Sequence, residues 1–194
     1  MPLVIEAEHL KPYKIMAIDP GSNFLGVSIF GLNYDLSINS VYSRTLDVSG
    51  LPESINSNPD IQSERTSKLL KIENEISRIL MYENPLAVIC EAPFYNRLRP
   101  GAFEPLVQVI SVINNSIIRY DSNIPFISIE PSVVKKAVGA GYICGKEEMK
   151  EAVFKIQEII AVLTVDYNRL DEHSIDSIAV GYAFISNERN RKGK

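Results

Sequence analysis

Two short apolar runs each close on a carboxylate, KIMAID at 14–19 and LAVICE at 86–91, and this feature limits the fold more than any other. An unbroken apolar run of this length suits a strand buried on both faces, as in a parallel sheet under helices. An acid at its end then projects from the edge of the sheet, where ligands bind in open α/β folds. FLGVSIFG (24–31) and LSINSVYSRTL (36–46), separated by LNYD, continue the first run as an antiparallel meander.

From residue 59 the period changes from strand to helix. Leu69, Ile72, Ile76 and Ile79 recur at helical spacing between Asn58-Pro59 and Asn84-Pro85. Phe103, Leu106, Val107, Ile110, Ile113 and Ile117 mark a second helix, with Val109, Val112 and Ile118 outside its main stripe, and PFISIE (125–130) a fifth strand. A short helix over 132–138 ends at Gly139 and Gly141, and a longer one carries Met149, Val153, Ile156, Ile160 and Leu163. The last helix runs from about Asp171 to Ser186, and residues 187–194 read as a frayed basic tail. This order predicts one α/β domain over 14–186 with a mixed five-stranded sheet, three antiparallel strands then two parallel, after an N-terminal extension of 1–13. Right-handed crossovers set the first and fourth strands side by side, which brings Asp19 close to Glu91.

Composition narrows the function. With 194 residues, 45% apolar and 23% charged, the chain is globular, and no apolar run approaches the roughly 18 residues of a bilayer span. The N-terminus puts acids where a signal peptide would put lysines and lacks a long apolar stretch, so a soluble cytoplasmic protein is expected. Cys90 and Cys144 match no zinc or redox spacing and are read as small hydrophobes; His9 is read as a surface residue. A net charge of −4 argues mildly against a partner held by bulk charge. Residues 92–146 are the exception, with 6 basic and 3 acidic side chains, and an anionic ligand is expected to meet them.

Glu172, His173 and Asp176 open the final helix, and spacings of three and four put 172 and 173 beside 176 on one face. Acids at a helix start also serve its macrodipole, and a single acid at a strand end serves as a cap. Taken together, strand ends and helix supply three or four hard ligands, the set required for two-metal phosphodiester hydrolysis. A bare cluster of carboxylates raises its own pKa values, and a divalent cation removes that penalty. The chain lacks GxSxG and HExxH, in keeping with a reaction that needs no side-chain nucleophile.

At these residues the chain resembles the RuvC-like Holliday junction resolvases, which have an RNase H-like fold. IMAIDPGSNFLGVSIF is similar to that family's first strand and turn, LAVICEAPF to its fourth strand, and DEHSIDSIAVGYAF to its terminal helix. The resemblance implies Asp19, Glu91, His173 and Asp176 as catalytic and metal-site residues holding two Mg²⁺, or Mn²⁺ in their place, with Glu172 a neighbour. It implies that Phe94, three residues after the second acid, inserts at the crossover, although packing on Pro93 is equally open to it. Within PSVVKKAVGAGYICGKEEMK it implies that Lys135 and Lys146, eleven residues apart, contact DNA; Lys136, Arg97 and Arg99 are adjacent candidates. The resemblance spans roughly 14–186 in four short segments, and the diverged helices between them fit a phage-type member. DPGS with a nearby glycine also resembles the phosphate loop of actin-like kinases, whose doubled domain needs a longer chain.

The implied function is a structure-selective endonuclease that cuts four-way DNA junctions in symmetric pairs, leaving 5′-phosphate and 3′-hydroxyl ends. Symmetry calls for a homodimer, with the helix over 103–120 as its contact. The rival readings are an RNase H-like nuclease acting on RNA, hybrid, flaps or forks, and a protein that binds branched DNA without cutting it.

Overall fold

The computed structural model describes residues 12–50, 64–95, 100–141 and 144–192. Strands β1 (Tyr13–Asp19), β2 (Phe24–Leu32) and β3 (Ile38–Asp47) form the meander. Helix α1 (Glu64–Glu83) leads to β4 (Ala87–Glu91), and α2 (Phe103–Tyr120) leads to β5 (Phe126–Ile129). Helices α3 (Pro131–Ala137), α4 (Lys146–Phe154), α5 (Gln157–Ile160) and α6 (Glu172–Lys192) follow. The sheet order is β3-β2-β1-β4-β5; β1 and β2 run antiparallel to their meander partners, and β4 is parallel to both β1 and β5. The mixed sheet expected from the sequence is present, with β1 at its centre.

Strand alternation sorts the side chains into two cores. Met16, Ile18, Val27, Ile29, Val88 and Cys90 face α1 and α2, meeting Ile72, Ile76, Ile79, Leu80, Val109, Ile113 and Ile117. Ile15, Ala17, Phe30, Ala87 and Ile89 face the other way, onto α3 to α6. Asp19 shares the parity of residues 15 and 17, and Glu91 that of 87 and 89, so both acids stand on the α6 side.

On that side α6 lies unusually close to β2. A Cβ at Gly26 would overlap the main-chain carbonyl of His173, and one at Gly181 would overlap the Phe30 ring. Between these contacts, buried Ser28 bonds Ser43 Oγ at 2.8 Å and Ser177 Oγ at 2.6 Å, while Ser43 and Ser177 both donate to the Ser174 carbonyl. Every second residue of β2 from 24 to 30 thus meets every fourth of α6 from 173 to 181.

Three helical details differ from expectation. The buried row of α2 is Val109, Ile113, Ser116 and Ile117, because the helix turns toward α1 as well as the sheet, and Val107 is 37% exposed. The single helix expected over 149–163 is broken at Lys155–Ile156, which buries Ile159 in place of Ile160. The break frees residues 162–164 to bond the outer edge of β3, with Val41 N–H donating to Val162 O at 3.1 Å and Thr164 N–H to Val41 O at 2.8 Å. Residues 187–192 continue α6 where a frayed tail was expected, because Arg189 bonds both carboxylate oxygens of Glu158 at 2.9 Å and the Leu36 carbonyl.

Candidate active site

Asp19 ends β1 and Glu91 ends β4, one residue beyond the paired Ile18 and Cys90. The first turn of α6 reaches them because Gly26, the β2 partner of Asp19, has no side chain to hold it off. Asp171 fixes that turn from the residue before the helix: it accepts from Ser174 N–H at 2.9 Å, from Ser174 Oγ at 2.7 Å and from Thr45 Oγ1 on β3. Burial pushes the Asp171 carboxyl up, yet these bonds leave it below its usual range.

His173 Nδ1 lies 3.0 Å from Asp19 Oδ2, and its Nε2 lies 3.5 Å from Glu172 Oε1. The Asp19 hydrogen bond raises the imidazole pKa, against the effect of burial. Burial raises the Asp19 carboxyl although His173 opposes it. Glu91 is pushed up to about 8 by burial, then by Asp19 and Asp176, with Lys135 pulling the other way. Asp176 rises to about 7 from burial, then from Asp19. Three carboxyls on three elements therefore act on one another at one end of the sheet; burial first raises the pKa of each, and repulsion from Asp19 adds to the rise at Glu91 and Asp176.

These residues fit a divalent cation by their chemistry: hard oxygens with a charge deficit, next to an imidazole. Among the described residues no three such side chains already stand in ligating positions, and Asp19 is engaged with His173.

The other predicted residues separate. Phe94 is 68% exposed, so packing on Pro93 does not bury it. Lys135 lies close enough to Glu91 to act on its charge, whereas Lys136 is exposed on a groove shared with Lys155, Glu158 and Tyr182. Lys146 pairs with Glu172, an exposed contact of small energetic weight. Arg97 and Arg99 lie outside the described residues, as does His9. Sequence reasoning missed Thr45 and Asp171, and also Phe24, whose ring stacks on His173. The N-cap acid three residues before a serine was the one legible signal for Asp171.

No protein-family model and no curated protein matches the chain. Among solved structures it is similar to Thermus thermophilus RuvC in complex with Holliday junction substrate, with TM-score 0.66 and 17% identity over 91% of this chain and 96% of that one. Another Thermus thermophilus RuvC structure gives TM-score 0.66 and 16% identity over 92% and 96%. The yeast mitochondrial Holliday junction resolvase Ydc2 gives TM-score 0.63 and 13% identity over 95% of this chain and 84% of that one. The five-stranded mixed sheet flanked by helices agrees with these likenesses: the chain has the RNase H-like fold seen in these RuvC and junction-resolvase structures.

Proposed function

We propose that this protein is a divalent-metal-dependent DNA endonuclease that resolves four-way junctions by paired, symmetric nicks. The observation that carries the reading is the meeting of Asp19, Glu91 and Asp176, with raised pKa values, at one end of a resolvase-type sheet. Those three carboxylates and His173 would hold two Mg²⁺, with Mn²⁺ able to substitute. When bound, the ions supply Lewis acidity toward the scissile phosphodiester and lower the pKa of the attacking water, giving 5′-phosphate and 3′-hydroxyl ends.

The chain's own residues bind and orient. Asp171 and Thr45 hold the first turn of α6, and with it His173 and Asp176, against the strand ends. Asp19 holds the imidazole by its Nδ1 edge. Lys135 and Lys146 are assigned to DNA phosphates, with Lys136, Arg97 and Arg99 as further contacts, and Lys146 exchanges Glu172 for phosphate on binding. Phe94 is assigned to the crossover, where an exposed ring can unstack bases. A second copy meets the outward face of α2, where Val107 and Ile118 are exposed. No helix among the described residues is long and apolar enough to cross a membrane, and the proposed setting is the cytoplasm of a bacterium or phage-infected cell.

The test is incubation of the purified protein with labelled four-way junction, linear duplex and RNA/DNA hybrid, each with Mg²⁺, Mn²⁺ or chelator, followed by mapping of product ends. Symmetric, metal-dependent nicks on the junction are expected, absent in Asp19→Asn and Asp176→Asn, which still bind it. Preferred cutting of the hybrid moves the substrate to RNA, and binding without cutting ends the nuclease reading. A monomer at micromolar concentration removes the dimer.

A further inference from the structure

Phe24 opens β2 on the face turned toward α6, and its ring runs nearly parallel to that of His173 and offset from it, with centroids 5.8 Å apart and planes 21° from parallel. The ring is 41% exposed and forms one wall of a groove that also includes Lys146, Lys150 and His173. The contact follows from the row that seats α6. Gly26, two residues on, lets the His173 main chain settle against β2, and the same strand parity turns Phe24 toward the imidazole.

A histidine ring whose main chain is fixed still turns about its last side-chain torsion, which is broad and roughly two-fold. The 3.0 Å bond from Nδ1 to Asp19 restrains one edge of the ring. It does not fix the plane, since one hydrogen bond tolerates tens of degrees of tilt. Phe24 supplies the missing restraint by packing its offset, near-parallel ring against one side of the imidazole. Edge and face together point Nε2 toward Glu172, 3.5 Å away, and away from the core.

We propose that Phe24 is a positioning residue for His173: its stacked ring sets the plane of the imidazole and so the direction of Nε2. The proposal deepens the reading of His173 as part of the active site and rests on it, but the geometry can be tested without activity. The chain has two histidines, so the imidazole spectrum of metal-free, ¹⁵N-labelled protein holds two ring systems, and His173→Gln assigns them.

In the native protein the His173 ring protons are expected to carry a ring-current shift from the neighbouring Phe24 ring and to be narrow. In Phe24→Leu they are expected to lose that shift and broaden as the ring regains its rotation, while Phe24→Tyr keeps the native pattern. In junction cleavage, Phe24→Leu is expected to lower kcat about tenfold or more with KM little changed, and Phe24→Tyr to restore it. Melting curves of both variants are expected to match the native protein and check that they fold.

Unchanged His173 signals in Phe24→Leu overturn the proposal. So does a rise in KM at constant kcat, which makes Phe24 a DNA contact, or a Phe24→Tyr protein as impaired as Phe24→Leu. If the native protein cuts no nucleic acid, the proposed function falls while the spectra still decide whether Phe24 orients His173.

Discussion

The two faces of the sheet are built by different physics. Against α1 and α2 the contact is aliphatic: Met16, Ile18, Val27 and Ile29 meet Ile72, Ile76 and Ile79, surfaces that attract without direction. Against α6 the contact is hard and directional, with two glycines allowing backbone and ring contact and three buried serines bonded in one register. The first kind holds a helix on a sheet, and the second fixes where along the sheet it lies. The proposed active site draws one of its elements from the second face and none of its helical residues from the first.

The largest expected effect breaks that contrast at its tightest point. Gly26→Ala is expected to lift the start of α6 from β2, cut junction cleavage at least about a hundredfold and cost about 1–3 kcal/mol of stability. Cleavage assays and denaturant titration on one preparation measure both. On the opposite face, Ile76→Ala is expected to cost about 2–5 kcal/mol while the folded fraction keeps native specific activity. Equal loss of specific activity in these two variants would erase the distinction.

A smaller effect separates the site's charge from its packing. The proton on Glu91 is held more tightly in the folded chain, whose carboxyl is raised to about 8 from 4.5, than in the unfolded one. That stabilisation is full below pH 4.5 and is lost as pH rises through about 8. The metal-free protein is therefore expected to lose at least about 3 °C in Tm over this range, and Glu91→Gln to flatten the profile. The smallest effect is at Ser28→Ala, expected to cost about 1 kcal/mol, because Ser43 and Ser177 keep their bonds to the Ser174 carbonyl.

What the sequence makes legible follows from this division. Apolar runs and periodic stripes report burial, and they located all five strands, α1 and the start of α6. They also located Asp19 and Glu91, since an acid closing such a run is visible in one dimension. Complementarity between Phe24, Gly26, Ser28 and Phe30 and a helix some 150 residues away is not, because none of these residues is unusual alone. The same reasoning explains the misplaced α2 row and the break before α5. A helix wedged between sheet and neighbour buries an arc turned away from the one its apolar stripe suggests, and pairing with Val41 accounts for the chain leaving its helix at 155. Lys135 and Lys136 are indistinguishable in sequence, and the turn of α3 directs only the first toward Glu91.

The outermost strand carries one further consequence. Val41 is bonded on its open side by residues 162 and 164, and Thr164 Oγ1 adds a third bond to the same carbonyl. An exposed edge strand is a template for growth, able to recruit a strand from another molecule and extend into aggregates. Here a newcomer would have to break three hydrogen bonds at the middle of the ten-residue strand before it could run along β3. The chain segment that interrupts its own helix thus acts as a stopper against strand addition at this edge of the sheet.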